Sequence, residues 1–295
     1  MDTEQCTGQE DIKTMQLYCN IDRIWNELKE LGWNRDTKET IPVLTMNKFD
    51  CYDYSGGEDL NKALPSLNSE SYVLDIGAGL GGPARHLSHH TGCNVIGVEL
   101  QDDVATLGNE LSKLCDFDKK VHIISGDFTD TSVSLLPGPC VDNSYDAAFS
   151  ILVILHVPME SRVSLFKRCF DLLKPGGKIY IEDFFMKPSG DVLTEEEICL
   201  LRDEISIPDA RLPTREEYIA QVKECGFDEV DFHDVTEQWT AFTTERLGIW
   251  CEQRERHERV HNKATWESLH TFYSAVVSMF QGGKMGGVKL VMTKK

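Results

Sequence analysis

The stretch VLDIGAGLGG, residues Val73–Gly82, decides how the chain is read. Gly77, Gly79 and Gly82 spell G-x-G-x-x-G, the pattern of a dinucleotide site. With Asp75 the same run spells D-x-G-x-G, which suits a different adenosine cofactor. Glycines after a first strand let backbone N–H groups and a helix N-terminus approach a ligand closely, and both readings share that property. Asp75 separates them. Its carboxylate, near the strand's carboxyl end, would face a pyrophosphate, and like charges at close range cost free energy. S-adenosylmethionine carries an ammonium and a sulfonium centre instead, so a carboxylate is welcome.

Outward from this run, strands and helices alternate. SYVLDIG reads as a buried strand, and GGPARHLSHHT opens a helix with Pro83 in its first turn. CNVIGVEL, VHIISGD, YDAAFSILVIL and GKIYIEDFF read as four more strands, with DDVATLGNELSKLCDF and SRVSLFKRCFDLL as helices between them. The second of these helices is stopped by Lys174-Pro175-Gly176-Gly177. In LPTREEYIAQVKECGF, Thr214 and Glu217 form a capping box. DEVDFHDV and the terminal GGVKLVMTKK supply two last strands. This alternation predicts an α/β fold with a doubly wound, mostly parallel, seven-stranded Rossmann-like sheet. Residues 71–235 form its core and 286–295 its final strand. Residues 1–70 are expected to form an N-terminal helical flap at the mouth of the substrate site, with Ile21, Ile24, Trp25, Leu28 and Leu31 at helical spacing. Residues 236–285, with helical patterns in FTTERLGIWCEQRERHERV and WESLHTFYSAVVSMF, interrupt two strands that would otherwise pair, and are read as a C-terminal helical lid insertion.

Composition narrows the function classes. The chain has 295 residues, 41% of them hydrophobic, which is enough for a globular core. Its formal net charge is -19 and its isoelectric point about 4.8, a field that repels nucleic acid and anionic membranes. No nucleic-acid or membrane partner is expected. The ten cysteines are scattered singly without C-x-x-C, so neither a zinc ribbon nor a redox pair is suggested. The start, MDTEQCTGQEDIK, lacks the basic and apolar regions of a secretory signal, and no apolar run reaches the length of a membrane span. A reducing cytoplasmic location, and a monomer or homodimer, are the expectations.

Further cofactor residues follow from the strand ends. Glu99 closes the second strand, where an acid can accept hydrogen bonds from ribose hydroxyls. In SGDF, Asp127 could take an adenine amino group and Phe128 flank the ring, although Asp127 could equally cap a turn. In order and spacing, VLDIGAGLGG, GVEL, SGDF, YDAAFSILVILHV and LLKPGGKIYIEDFF resemble the motifs of class I S-adenosylmethionine-dependent methyltransferases. The resemblance covers about residues 49–295. Within that class the chain is similar to the small-molecule branch holding sarcosine/dimethylglycine and phosphoethanolamine N-methyltransferases, through FDCYDYSGGEDLNKAL, LPTREEYIAQVKECGF and FQGGKMGGVKLVMTKK. The resemblance implies S-adenosylmethionine as donor, S-adenosylhomocysteine as product, and a donor site of Asp75, Gly77, Gly79, Glu99, Leu100, Gln101, Gly126, Asp127, Phe128 and Ser150. Two positions depart from the phosphoethanolamine pattern: Leu152 stands where an aspartate precedes the histidine, and Leu44 where a tyrosine is paired.

Methyl transfer from a sulfonium is an in-line displacement, so the enzyme mostly positions the two partners and excludes water. An amine acceptor must be neutral when it attacks, which calls for a base. His156, just after the fourth strand at the sheet's carboxyl edge, is the candidate. Tyr52 and Tyr54 could close the pocket's mouth around a methylated ammonium. Arg202 and Arg211 could hold a carboxylate. HERVH, His257–His261, literally spells the zinc-hydrolase pattern H-E-x-x-H, but its neighbours are densely charged with no apolar stripe, so no metal site is expected. His86, His89 and His90 share a helix face expected to be exposed. The expected function is methylation of a small molecule, at an amine nitrogen on a glycine-like or amino-acid-derived substrate. The alternatives are phosphoethanolamine or another acceptor atom (oxygen, carbon, or arsenic using Cys51 and Cys199), an NAD-dependent oxidoreductase, and a non-catalytic binding module.

Overall fold

The computed structural model describes residues 23–50, 54, 57–188 and 192–295. Within them one seven-stranded sheet runs in the order β3-β2-β1-β4-β5-β7-β6. Its strands are β1 (Tyr72–Ile76), β2 (Asn94–Glu99), β3 (Val121–Ser125), β4 (Tyr145–Ile151), β5 (Leu173–Met186), β6 (Glu229–Asp234) and β7 (Met285–Thr293). β1 to β5 pair in parallel, and β7 lies antiparallel to both β5 and β6. The expected doubly wound sheet is therefore observed. β1 is buried over its last four residues, as a central strand covered on both faces must be. In β6 only Phe232 is buried, which keeps the sheet's edge charged and wet.

The helices follow their capping chemistry. Before the sheet lie α1 (Arg23–Glu30), α2 (Val43–Asp50) and α3 (Glu58–Ala63). Within it lie α4 (Gly82–Thr91), α5 (Asp102–Leu114), α6 (Met159–Leu172), α7 (Glu195–Cys199) and α8 (Arg215–Glu224). The α8 capping box closes as expected: Thr214 Oγ1 accepts from the Glu217 N–H at 3.2 Å, and Glu217 Oε2 from the Thr214 N–H at 2.9 Å. Lys174-Pro175-Gly176-Gly177 ends α6 but does not delay the next strand. β5 starts at Leu173, and its pairing with β4 shifts register between Tyr145 and Ala147. Gly176 takes φ +82° there, so the surplus residues loop out.

The segment between β6 and β7 differs in number. Three helices stand there instead of two: α9 (Thr236–Glu252), α10 (Arg254–His261) and α11 (Lys263–Gln281). The break before α11 is made by Asn262, whose side chain accepts from the Thr265 N–H at 2.9 Å. Their apolar faces, including Trp239, Phe272, Val276 and Phe280, close a second core over the sheet's carboxyl edge. One expectation about histidines needs correction. His86 is buried between Asn61 (3.0 Å) and Asn47 (3.3 Å); burial and the neighbouring His90 and His89 push its pKa to about 4. Only His89 and His90 of that face are exposed. His257 and His261 are also buried, because α10 is covered by α1, a partner invisible in local sequence. In α1 itself Ile24, Trp25 and Leu28 pack inward while Leu31 is half exposed; Ile21 lies outside the described residues.

α2 is tied to α4 by a fully buried ion pair, Asp50 with Arg85 at 2.5 Å. Arg85 also donates to the Gly108 carbonyl (3.0 Å) and Ser112 Oγ (2.8 Å) of α5. Removing one partner strands a buried charge, so Asp50→Ala is expected to lower unfolding free energy by about 3–5 kcal/mol in urea titrations. The double variant Asp50→Leu/Arg85→Met should recover most of that loss. A single variant within about 0.5 kcal/mol of wild type, the range of ordinary surface changes, would show the pair to be inert.

Candidate active site

The donor loop is built from the backbone. After β1, Gly77, Gly79 and Gly81 take φ of +74°, +53° and +74°. A Cβ on Gly77 would overlap the Val153 side chain, whereas one on Gly79 would point into open space. Gly82, third in G-x-G-x-x-G, has another reason to be glycine: a Cβ there would overlap the Asp50 carbonyl, so it serves the close approach of α2. The Gly77 and Ala78 N–H groups bond to the Val98 carbonyl at 2.9 and 3.1 Å. Glu99 accepts from the Gly79 N–H (2.9 Å, Oε2) and the Gln101 N–H (2.9 Å, Oε1). The carboxylate thus pins the loop to the end of β2 and retains acceptor capacity for a ribose.

Asp75 tests whether S-adenosylmethionine suits this loop. It is buried, and its Oδ2 has no hydrogen-bond partner. Burial first, and the nearby Glu99 charge second, raise its pKa well above the ordinary carboxylate range. A buried, unsatisfied carboxyl oxygen is costly unless a donor arrives. The ammonium of the methionine end is such a donor, and the open side of Gly79 gives it room. The residues present fit the cofactor.

A crevice runs past Glu99, Leu100, Gly126, Asp127 and Phe128, the residues expected at the adenosine end. Asp127 Oδ1 accepts from the Thr129 N–H and hydroxyl, both at 2.7 Å, so it caps a turn while also lining the crevice. Phe128 is buried, with the Arg168 guanidinium 4.7 Å above its ring. Two expected cofactor residues, Ser150 and Gln101, are not among those lining this crevice. Ser150 is buried and donates to the Ile76 carbonyl at 3.0 Å, a tie between β4 and β1. Gln101 is buried at the start of α5 and contributes its backbone N–H to Glu99.

On the other side of Gly77 lies a second cavity of about 970 Å³, part of it open to solvent. Its walls are apolar and aromatic: Ile151, Leu152, Leu155, Phe184, Ile205, Phe272 and Val276, with Tyr54 and Tyr273. Leu152 holds the left-handed conformation at φ +54°, its N–H bonded to the Glu182 carbonyl at 2.8 Å, which is backbone strain stored in the cavity wall. Gly77 and His156 line both the crevice and the cavity, so they mark where the two compartments meet. His156 sits in a 3-10 turn, Ile154–His156. Its Nδ1 is 2.9 Å from the Ser206 carbonyl, which can only accept, so Nδ1 carries the proton and Nε2 the lone pair of the neutral ring. Burial outweighs that bond and lowers the pKa from 6.5, with Arg162 adding to the effect. Asp183 steadies the turn: Oδ1 accepts from the Leu155 N–H at 3.1 Å and Oδ2 from the Tyr218 hydroxyl at 2.9 Å.

Tyr54 lines the cavity, edge-on to Trp239 at 4.9 Å and 5.1 Å from Phe242. Tyr52 and Cys51 lie outside the described residues. Arg202 and Arg211 do not reach the cavity. Arg202 is exposed and gripped by its neighbour Asp203 (2.6 and 2.8 Å), because the π-helical turn Leu200–Glu204 turns Leu201 inward. Arg211 is exposed and paired with Glu217 at 3.1 Å. Cys199 is exposed as well. The basic residue that does line the cavity is Arg246 of α9, over the rings of Tyr273 (5.1 Å) and Phe242 (5.9 Å). The sequence reading missed it because α9 carries no clear apolar stripe: only Trp239 and Thr243 are buried.

Glu99→Ala removes the loop's anchor and the ribose acceptor together. Calorimetry with S-adenosylhomocysteine should show donor affinity weakened by about 1–3 kcal/mol, the range for a hydrogen bond to a charged group. An unchanged dissociation constant would remove Glu99 from the site.

Residues 59–285 match the family model described as mycolic acid cyclopropane synthetase. A phosphoethanolamine N-methyltransferase of Plasmodium falciparum is 25% identical over 244 residues, covering 82% of this chain and 86% of that protein. A sarcosine/dimethylglycine N-methyltransferase of Halorhodospira halochloris is 28% identical over 181 residues, 61% of this chain and 60% of the other. A sterol 24-C-methyltransferase of Yarrowia lipolytica is 31% identical over 159 residues, but the match spans 53% of this chain and 39% of that protein. Among solved structures, phosphoethanolamine N-methyltransferase 2 of Haemonchus contortus superposes with TM-score 0.74 at 18% identity, over 98% of this chain and 60% of that one. A cyclopropane synthase of Mycobacterium tuberculosis does so with TM-score 0.71 at 17% identity, over 99% and 100%. With the donor loop built as described and the family model spanning most of the chain, this is an S-adenosylmethionine-dependent methyltransferase of class I and belongs to the mycolic acid cyclopropane synthetase family.

Proposed function

We propose that the acceptor is an amino-acid-derived small molecule, methylated at an amine nitrogen and held by an anionic group against Arg246. The observation that carries this reading is the cavity's charge pattern. Among the described residues lining it, Arg246 is the basic side chain set in otherwise apolar and aromatic walls. The acids in the lining are already assigned: Asp50 to Arg85, and Asp75 to the donor. A guanidinium poised over two aromatic rings favours a carboxylate or similar anion, and the apolar walls favour a substrate body larger than glycine. Two of the similar proteins are named for amine acceptors, phosphoethanolamine and sarcosine/dimethylglycine, which supports nitrogen.

Bound S-adenosylmethionine supplies an already activated methyl group on a positively charged sulfur. The protein's part is to orient, to keep water out and to handle one proton. His156, neutral and fixed through Nδ1, offers Nε2 to the amine proton where the two compartments meet. Asp183 holds the turn that carries it, and Tyr54 with Phe184 presents aromatic faces to the cationic product. The same apolar walls favour a second reading, a carbon acceptor on a larger hydrophobic skeleton, in line with the sterol methyltransferase similarity. A screen with labelled donor over amino-acid-derived amines, phosphoethanolamine and unsaturated lipids separates them; transfer confined to the lipids would overturn the amine reading.

His156→Ala should lower turnover roughly 10²–10⁴-fold with little change in donor affinity. The base works only when neutral, and its folded pKa lies below 6.5. The wild-type single-turnover rate should therefore rise with pH through a limb below 6.5 that the variant lacks. Coincident profiles would leave His156 as a binding residue. Arg246→Gln should raise the acceptor KM while the donor dissociation constant stays put; an unchanged KM would remove Arg246 from the acceptor site.

A further inference from the structure

The H-E-x-x-H stretch lies apart from methyl transfer, yet the fold gives it a third partner. His257 and His261 stand one turn apart on α10, 7% and 8% exposed, with rings 13° from parallel and 6.1 Å between centroids. Glu27 reaches them from α1, far away in sequence, and its Oε1 lies 2.8 Å from His261 Nε2. One ligand-type atom from each of the three falls within 4.8 Å of the other two.

Each group is in a form that can ligate. Glu27 accepts from Arg256 through both carboxylate oxygens and faces His261 Nε2 through Oε1. The His257 ring is held beside the Arg256 guanidinium. Its Nδ1 lies 3.5 Å from an Arg256 nitrogen, and since a guanidinium only donates, the lone pair is on Nδ1. Trp250 stacks on this ring at 3.8 Å and fixes it. His261 Nδ1 is buried with no hydrogen-bond partner. The cluster already surrounds one cation, the Arg256 guanidinium, bonded to both Glu27 oxygens at 3.1 and 2.5 Å. That side chain is 37% exposed and has a route outward.

We propose that Glu27, His257 and His261 bind a divalent transition-metal ion of the zinc class, which clamps helix α1 to helix α10. Two imidazoles and one carboxylate suit such an ion better than calcium or magnesium, which prefer all-oxygen shells. The metal takes the guanidinium's place between carboxylate and rings. The proton on His261 Nε2 moves to Nδ1 or to water, and Arg256 turns to solvent. The site is a clamp and not a hydrolase, because Glu258, the acid such an enzyme would use as base, is bonded to Arg254 at 2.7 Å.

The test uses the full chain stripped with a chelator, then titrated with zinc chloride by calorimetry and with cobalt(II) by absorption spectroscopy. One equivalent is expected to bind, with a cobalt spectrum free of thiolate bands and a melting temperature that rises with zinc. His257→Gln and His261→Gln should each weaken binding by about tenfold or more, with S-adenosylhomocysteine affinity retained as evidence of folding. Arg256→Ala, which removes the competing cation and leaves the ligands, should tighten it. No stoichiometric binding to wild type would overturn the clamp. Thiolate ligation, binding insensitive to both histidine changes, or weaker binding by Arg256→Ala would do the same.

Discussion

Arg85 is the fixed point around which the donor side is arranged. A guanidinium with no exposure needs partners for its donors, and here both terminal nitrogens find them, from three directions, while Nε has none. Asp50 comes from α2, the Leu80 carbonyl from the donor loop itself, and Gly108 and Ser112 from α5. Glycine at position 82 lets α2 come close enough for that pair to form. Helix α2 and the glycine loop after β1 are therefore one mechanical unit. Asp50 also lines the acceptor cavity, so the same pair sets part of the wall next to the loop.

The two compartments exist because the chain cannot continue straight at the carboxyl edge of β1 and β4. Three left-handed glycines turn it after β1, and a left-handed leucine turns it after β4. Gly77 must lack a side chain because Val153, one residue past that leucine, fills the space. Crowding at this point brings His156 to the boundary between crevice and cavity. Asp183 and the Ser206 carbonyl then hold the turn and the ring from β5 and the segment after it.

Much of this was legible in the sequence. The buried strands read as continuous apolar runs, and the ends of β1, β2 and β3 announced themselves through Asp75, Glu99 and Asp127, since acids at strand ends are rare without a task. Thr214 and Glu217 showed their capping box at the right spacing. Less legible was anything set by a distant partner. Ser150 looked like a cofactor residue by position, but a neighbouring strand takes its hydroxyl. Arg202 and Arg211 looked free until local acids were found holding them. Arg246 is placed by how α9 packs on α11, and the burial of His257 by how α1 covers α10. Neither contact leaves a local periodic signal.

The charge layout draws these parts together. The chain is acidic overall, and the buried carboxyls Asp75 and Glu99 lie behind the donor loop. The cavity beyond Gly77 has Arg246 at its aromatic side and Asp75 with Asp50 among its other lining residues. On the proposed reading, a cationic methionine end near Asp75 and an anionic group near Arg246 would each meet the opposite sign. Such an arrangement orients both partners before any contact with the reacting atoms, and orientation is most of what a displacement from an activated methyl group requires. On the proposed mechanism it also accounts for a half-buried histidine, His156, at the boundary in place of another acid. A further carboxylate near Asp75 and Glu99 would raise the electrostatic cost of an already crowded anionic pocket, whereas a neutral imidazole accepts a proton without adding charge beforehand.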